Sequence, residues 1–186
     1  MLEGSVKMAG RMSTRKIAFN GLMIALVFLA TRFISFPGPI PPGYINLGDS
    51  MIMLTAILLG STSAMTAGAI GSALADIAYG AYIFSPITFI VKGLEGLIIA
   101  LLYHKLLKKL DNRFKMAAAM IAGAIIMVAG YFFSELYILK LFDNTFGWAA
   151  ASAEFPLNLV QGGISCIVGY LLAFVLQRIK FDRYLQ

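Results

Sequence analysis

Charged and amide side chains recur inside the apolar segments of this 186-residue chain. A charge at the centre of a bilayer costs at least about 2.5–3.5 kcal/mol, so such groups face a wet or mutually paired interior. Carboxylates and amides beside aromatic faces suit a small planar solute that forms hydrogen bonds. The candidate substrate-binding residues are Tyr44, Asn46, Asp49, Asp76, Lys92, Glu95, Tyr131, Glu135, Trp148, Glu154, Asn158 and Gln161.

The spacing of these residues favours a shared pocket but leaves alternatives open. Glu154, Asn158 and Gln161 recur at helical intervals and form one polar stripe, with Pro156 in the first turn of that helix. Lys92 and Glu95, at i and i+3, either neutralise each other or contact a ligand. Tyr79, Tyr82, Tyr137 and Trp148 either contribute to the pocket or form an aromatic membrane belt.

Six apolar stretches must position these side chains: 17–34, 47–60, 63–80, 86–103, 116–138 and 155–179. The composition is 60% hydrophobic and 13% charged, and about 20 helical residues cross a hydrocarbon core. Lipid requires each span to satisfy its own backbone, which favours helices. The sequence therefore predicts an all-α integral membrane protein, with residues 14–186 forming a single compact bundle of six transmembrane helices. Residues 1–13 are expected to be a disordered or vector-derived tail.

Basic residues set the expected orientation. Twelve of the 15 Lys and Arg residues lie before the first stretch, between the fourth and fifth, and at the chain end. The positive-inside tendency makes that side cytoplasmic, with both termini inside and the loops at 35–46, 81–85 and 140–153 outside. The polar residues then lie in the outer halves of the helices. This placement predicts a solute-sized cavity that opens outward in a multi-pass protein of the cell (plasma) membrane.

The first outer loop reads SFPGPIPPGYIN at residues 35–46 and cannot be a continuous helix. It lies over the predicted opening, where it is either a lid anchored by Tyr44 or a stiff connector.

Small residues define two further surfaces. Ala18, Gly21 and Ala25 clear one face of the first helix for a partner, while the stripe Ala64, Gly68 and Ser72 favours internal packing of the third.

Several function classes are disfavoured. The chain has one cysteine, one histidine and no nucleotide-binding loop, so no metal, cofactor or catalytic residue is expected, and the chain is not expected to be an enzyme. Its clusters of Lys and Arg indicate the orientation of the membrane helices and do not indicate a nucleic-acid-binding surface. A self-sufficient proton-coupled carrier or channel remains an alternative, although no inverted repeat and no cytoplasmic polar path is visible. A membrane enzyme acting on lipid-linked substrates would need a nucleophile and base that are not evident.

The chain resembles the substrate-binding S components of energy-coupling factor (ECF) vitamin transporters. The resemblance lies in the predicted topology, the proline-rich loop and the runs YINLGDSMIMLTAILLG at 44–60, GSALADIAYG at 71–80 and SPITFIVKGLEGL at 85–97. These runs are similar to the riboflavin-transporter-like branch, which includes candidate hydroxymethylpyrimidine and pyridoxine carriers.

The resemblance implies a bacterial membrane protein that captures a vitamin or precursor from outside. It implies docking on a transmembrane coupling subunit driven by two cytoplasmic ATPases, with toppling in the lipid bilayer to release substrate inward. The family's Ala-x-x-x-Ala contact motif corresponds here to Gly21-x-x-x-Ala25. The family's pocket, formed by the outer halves of helices four to six and the outer loops, corresponds to the polar residues named above.

Overall fold

The structure is a computed structural model in which residues 14–179 are described. The predicted tail at 1–13 and the basic residues Lys7, Arg11, Lys180 and Arg183 lie outside the described residues.

Six helices and one short strand pair make up the described chain. The helices are α1 (Thr14–Phe33), α2 (Gly48–Leu59), α3 (residues 61–79), α4 (Ser85–Leu106), α5 (Asn112–Leu141) and α6 (Trp148–Arg178). Strands β1 (Ser35–Pro37) and β2 (Tyr44–Asn46) pair antiparallel between α1 and α2. The all-α prediction is confirmed, and the proline-rich loop is not helical.

Four of the helices, α1, α4, α5 and α6, are long and apolar enough to cross a membrane. Helix α2 is apolar but has only 12 residues, and α3 contains the π-helical stretch Ala67–Gly71. Full crossings by α2 and α3 therefore stay a prediction, as does the orientation of the termini.

Helix α6 begins earlier than the sequence predicted. It starts at Trp148, so Pro156 lies inside the helix and not in its first turn. The prediction for Pro156 was wrong because the alanine-rich run before it continues the helix, although a proline there removes one backbone hydrogen bond.

Glycine conformations produce the sharp joints around α3. Gly60, at φ 84°, separates α2 from α3, and Gly80, at φ 93°, ends α3 in the left-handed region. The Gly80 amide donates to the carbonyls of Asp76 and Ile77, which is a common way for a helix to end. The backbone reverses tightly there, and α4 returns beside α3.

Helices α3 and α4 approach each other closely through small residues. A Cβ atom at Gly68 would collide with the Lys92 carbonyl oxygen, and one at Gly96 would lie 2.5 Å from the Ala64 carbonyl oxygen. Ala64 and Ser72 are also buried. This arrangement confirms the internal-packing interpretation of the α3 stripe.

The two ends of the bundle differ in chemistry. At one end, the Tyr103 hydroxyl of α4 donates to Asn112 of α5 at 2.8 Å, and Gln177 of α6 donates to Tyr103 at 2.9 Å. The basic linker between α4 and α5 lies at this end. Next to this end, the middle of the bundle is filled by an apolar cluster that includes Met53, Ile99 and Met120. The opposite end carries the strand pair and most of the predicted polar residues.

Candidate functional site

A small polar cavity lies beneath the strand pair, between the ends of α3 and α5 and the starts of α4 and α6. Its volume is about 30 Å³. The lining residues are Gly43, Tyr44, Asn46, Asp76, Phe84, Thr88, Tyr131, Glu135, Glu154, Asn158 and Gln161. Most of the predicted binding residues therefore meet at one place, although they come from five separate segments of the chain.

Two hydrogen bonds and one ring stack hold the strand pair over this cavity. The Tyr44 hydroxyl donates to Asp76 Oδ1 at 2.5 Å, and its ring stacks on Tyr79 with centroids 4.1 Å apart. The backbone N–H of Asn46 donates to the side-chain Oε1 of Gln161 at 2.8 Å. Burial and the neighbouring Asp76 charge raise the pKa of Tyr44, so its phenol stays protonated and remains a donor. Tyr44 thus anchors the loop, while movement of the loop stays a prediction.

Three acidic side chains face the cavity without complete hydrogen bonding. Asp76, Glu135 and Glu154 are only 4%, 1% and 5% exposed. Among the described residues 14–179, one buried oxygen of each side chain has no hydrogen-bond partner: Asp76 Oδ2, Glu135 Oε2 and Glu154 Oε1. Buried polar atoms are normally paired, so this concentration of unpaired acceptors makes the cavity the candidate binding site.

Glycines in the loop allow it to close onto one of these carboxylates. A Cβ atom on Gly43 would lie 2.5 Å from Glu154 Oε1, and one on Gly38 would lie 3.0 Å away. From the sequence, these glycines are expected only to permit turns in the proline-rich loop. The structure adds that they leave room for Glu154, a contact between distant segments that local patterns do not reveal.

Helix α5 contributes the aromatic wall and one carboxylate. Tyr131 and Glu135, four residues apart and so on one helix face, both line the cavity. The Tyr131 hydroxyl lies 2.9 Å from Thr88 Oγ1 of α4. Sequence reasoning missed Thr88 and Phe84, although Thr88 precedes Lys92 by one helical turn on the same helix face.

Lys92, Asp49 and Glu95 lie below the cavity in a buried ion cluster and do not line it. The Lys92 ammonium pairs with Asp49 Oδ1 of α2 and lies 3.5 Å from Glu95 Oε2. Gln161 connects this cluster to the loop, because its Nε2 donates to Asp49 Oδ2 at 2.8 Å. The sequence left open whether Lys92 and Glu95 neutralise each other or contact a ligand, and the structure pairs them. It did not predict Asp49, 43 residues before Lys92, which is the closer of the two carboxylates to the Lys92 ammonium.

Trp148 lies outside the cavity. Its side chain is 69% exposed and meets Phe132 edge to face with centroids 6.1 Å apart. Because α6 begins at Trp148, this residue points to a different side of the helix from Glu154. Tyr82 and Tyr137 are exposed as well, which supports the aromatic-belt alternative for these three residues.

The cavity is smaller than the solute-sized opening that the sequence predicted. About 30 Å³ accommodates one or two water molecules, whereas small-molecule pockets usually measure about 300–1,000 Å³. That expectation was wrong for this arrangement, because the strand pair and Tyr44 fold back over the polar residues. A ring-sized ligand requires the loop and the cavity side chains to move apart.

The predicted docking face of α1 points away from the bundle. Ala18, Gly21 and Ala25 are all exposed, and a Cβ atom on Gly21 would have no neighbour within 4 Å. This face is therefore not used for packing within residues 14–179.

Comparisons with known proteins agree with this architecture. The family model described as "ECF-type riboflavin transporter, S component" matches residues 11–178. An uncharacterized protein in the gap 3′ region of Pyrococcus woesei is 35% identical over 152 residues, covering 82% of this chain and 95% of that protein. A UPF0397 protein of Lactobacillus acidophilus is 34% identical over 96 residues, which is 51% of each chain.

A solved structure shows the same fold. The S component described under "Structure and mechanism of the S component of a bacterial ECF transporter" superposes with a TM-score of 0.68 at 18% identity, covering 89% of this chain and 96% of that chain. The matching family and this structural neighbour are transporter components and not enzymes. With a family match that spans nearly all of the described residues, the chain belongs to the ECF-type riboflavin transporter S component family.

Proposed function

We propose that this chain is the membrane-embedded substrate-binding subunit of an ECF-type importer. It captures a water-soluble vitamin or vitamin precursor from outside for ATP-driven uptake. The observation that carries the proposal is the covered polar cavity, in which acidic, amide and aromatic side chains from five segments converge at one end of a membrane bundle. Such convergence of polar groups in a buried hollow is typical of small-molecule sites.

The lining favours a planar, hydrogen-bonding ligand such as hydroxymethylpyrimidine, pyridoxine or a similar ring compound. The aromatic rings of Tyr44, Phe84 and Tyr131 line the cavity together with the amide of Asn158 and the carboxyls, a combination that suits the faces and edges of such a ring. Buried polar groups that a wrong ligand leaves unpaired are costly, so this lining would select sharply among ring substituents.

Release on the cytoplasmic side requires partner subunits. Below the cavity lie the ion cluster and then the apolar cluster containing Met53, Ile99 and Met120, which offers a solute no polar path. We therefore expect the chain to work with a transmembrane coupling subunit and two cytoplasmic ATPase subunits. The open face formed by Ala18, Gly21 and Ala25 is the proposed docking surface, since small residues permit close helix contact.

The test combines ligand identification with reconstituted uptake. Small molecules released from the gently purified protein are identified by mass spectrometry, with a Glu154→Ala variant and an exposed-loop Asp143→Ala variant as the comparison pair. A vitamin-like ring compound that is retained by wild type and Asp143→Ala, and depleted in Glu154→Ala, supports the proposal. The same compound should enter proteoliposomes only when the coupling module and ATP are present. Ion-gradient-driven uptake by this chain alone would instead establish the secondary-carrier alternative.

A further inference from the structure

We infer that the cavity selects a ring compound bearing a protonated amine over neutral and anionic analogues of the same ring. This inference rests on the proposed function, because it names the substrate class of the same site. It starts from the charges and unpaired atoms that meet in the cavity.

The unpaired atoms are all hydrogen-bond acceptors. Asp76 Oδ2, Glu135 Oε2 and Glu154 Oε1 belong to side chains at least nine-tenths buried, and all three side chains line the one cavity. A ligand amine can donate to these oxygens, and by pairing with them it favours the ionised carboxylate over the protonated carboxyl that burial alone favours. A protonated amine supplies three donors and no acceptor.

No basic side chain within residues 14–179 forms a salt bridge with these carboxyls. Within residues 14–179, the salt bridges of Lys92 go to Asp49 and Glu95, and Asp76, Glu135 and Glu154 form none. Lys92 is also absent from the cavity lining. An unpaired charge is costly to bury, and a carboxyl without a counter-ion avoids that cost by keeping its proton. A ligand cation pairs with the ionised form and makes it favourable, which a neutral ligand does not do.

The position of the carboxylates and aromatics fits the same ligand. Glu135 and Glu154 come from helices that pack against each other, and both line the cavity. Two carboxylates in one buried cavity repel each other when both are ionised, and a positive ligand group beside them would relieve that repulsion. Tyr44, Phe84 and Tyr131 line the same cavity, and aromatic rings attract cations. An anionic substituent would meet the same negative lining and be rejected.

The experiment uses three probes that share one pyridine ring. Pyridoxamine carries an aminomethyl group, pyridoxine a hydroxymethyl group and 4-pyridoxate a carboxylate at the same ring position. Binding to the purified full chain is measured by isothermal titration calorimetry at pH 7. Pyridoxamine is expected to bind at least about tenfold more tightly than pyridoxine, as expected when a neutral hydrogen bond is replaced by a charged one, and 4-pyridoxate is expected not to bind.

Charge-removing variants test whether the carboxylates cause this preference. Glu135→Gln and Glu154→Gln keep side-chain size, and each is expected to reduce the pyridoxamine-to-pyridoxine affinity ratio by about tenfold. Asp143→Asn, in the exposed loop between α5 and α6, is the matched control and should leave the ratio unchanged. Melting temperature and gel-filtration profile establish that every variant is folded.

Three results would overturn the inference: pyridoxine or 4-pyridoxate binding as tightly as pyridoxamine, an unchanged ratio in both glutamine variants, or binding of none of the three probes. The first two are also expected if the cavity carboxyls are protonated and neutral. The wider importer role is judged separately by the retained compound and by module-dependent uptake. If the compound retained by the purified protein is a neutral or anionic vitamin, the inferred preference for an amine is refuted, while the proposed importer function still stands.

Discussion

The hydroxyl of Tyr44 is expected to hold the outer loop closed, and Tyr44→Phe isolates its contribution. The phenylalanine ring can still stack on Tyr79, whereas the 2.5 Å hydrogen bond to Asp76 is lost. A hydrogen bond to a charged group contributes about 1.5–3 kcal/mol, and about 1.4 kcal/mol changes an equilibrium tenfold. The opening equilibrium of the loop should therefore rise by about 10- to 150-fold.

Hydrogen–deuterium exchange of the peptide covering residues 35–47 measures this change directly. In the closed loop the Gly38 backbone N–H donates to the Gly43 carbonyl, and the Gly43 N–H donates to the Ile40 carbonyl. The Asn46 backbone N–H donates to the Gln161 side chain. Local opening exposes these amides, so their exchange should accelerate by the same factor while exchange in α4 stays unchanged.

A tyrosine outside the site provides the control. Tyr82 is exposed on the same side of the bundle, and Tyr82→Phe should leave exchange in the loop at the wild-type rate. Wild-type exchange of residues 35–47 in Tyr44→Phe would refute the reasoning. It would show that the glycine-mediated fit onto Glu154 and the Gln161 contact are sufficient to keep the loop closed.

Three further substitutions test the rest of the architecture. Lys92→Met leaves two buried carboxylates without their cation and should destabilise the protein by about 3–5 kcal/mol in reversible detergent unfolding; wild-type stability would argue against an ionised cluster. Gly68→Ala should cost about 1–3 kcal/mol in the same assay because its methyl group meets the α4 backbone, whereas Gly163→Ala, in open space, should not destabilise. Gly21→Leu should preserve ligand affinity and lower module-dependent uptake about tenfold; loss of binding instead would assign Gly21 to folding or to the pocket.

The sequence predicted the helices well because membrane helices satisfy their backbone within one segment, so local hydropathy carries most of the information. It placed the start of α6 too late because Pro156 was treated as a first-turn residue. The predicted polar stripe of Glu154, Asn158 and Gln161 needed only helical spacing, and all three residues line the cavity.

Contacts between distant segments were beyond such reasoning. Asp49 and Lys92 pair across 43 residues, and single-helix spacing could reveal only the neighbouring Glu95. The fit of Gly43 against Glu154 and the small volume of the cavity depend on how the proline-rich loop folds back. Neither hydropathy nor charge patterning specifies that path, so the residues of the site were easier to predict than its shape.

The buried ion cluster has a consequence for biosynthesis. Asp49 is made 43 residues before Lys92, so α2 leaves the ribosome while its carboxylate has no counter-ion. On the insertion scale an unpaired charge costs about 2.5–3.5 kcal/mol at the centre of a membrane helix and less near its ends. Asp49, the second residue of α2, and Lys92 of α4 therefore each carry a penalty of up to about this size when their helix enters lipid alone. Helix α2 is therefore expected to wait in the protein-lined translocon or at the headgroup surface until α4 arrives. Partitioning of this chain into the membrane should then proceed by groups of helices and not one helix at a time.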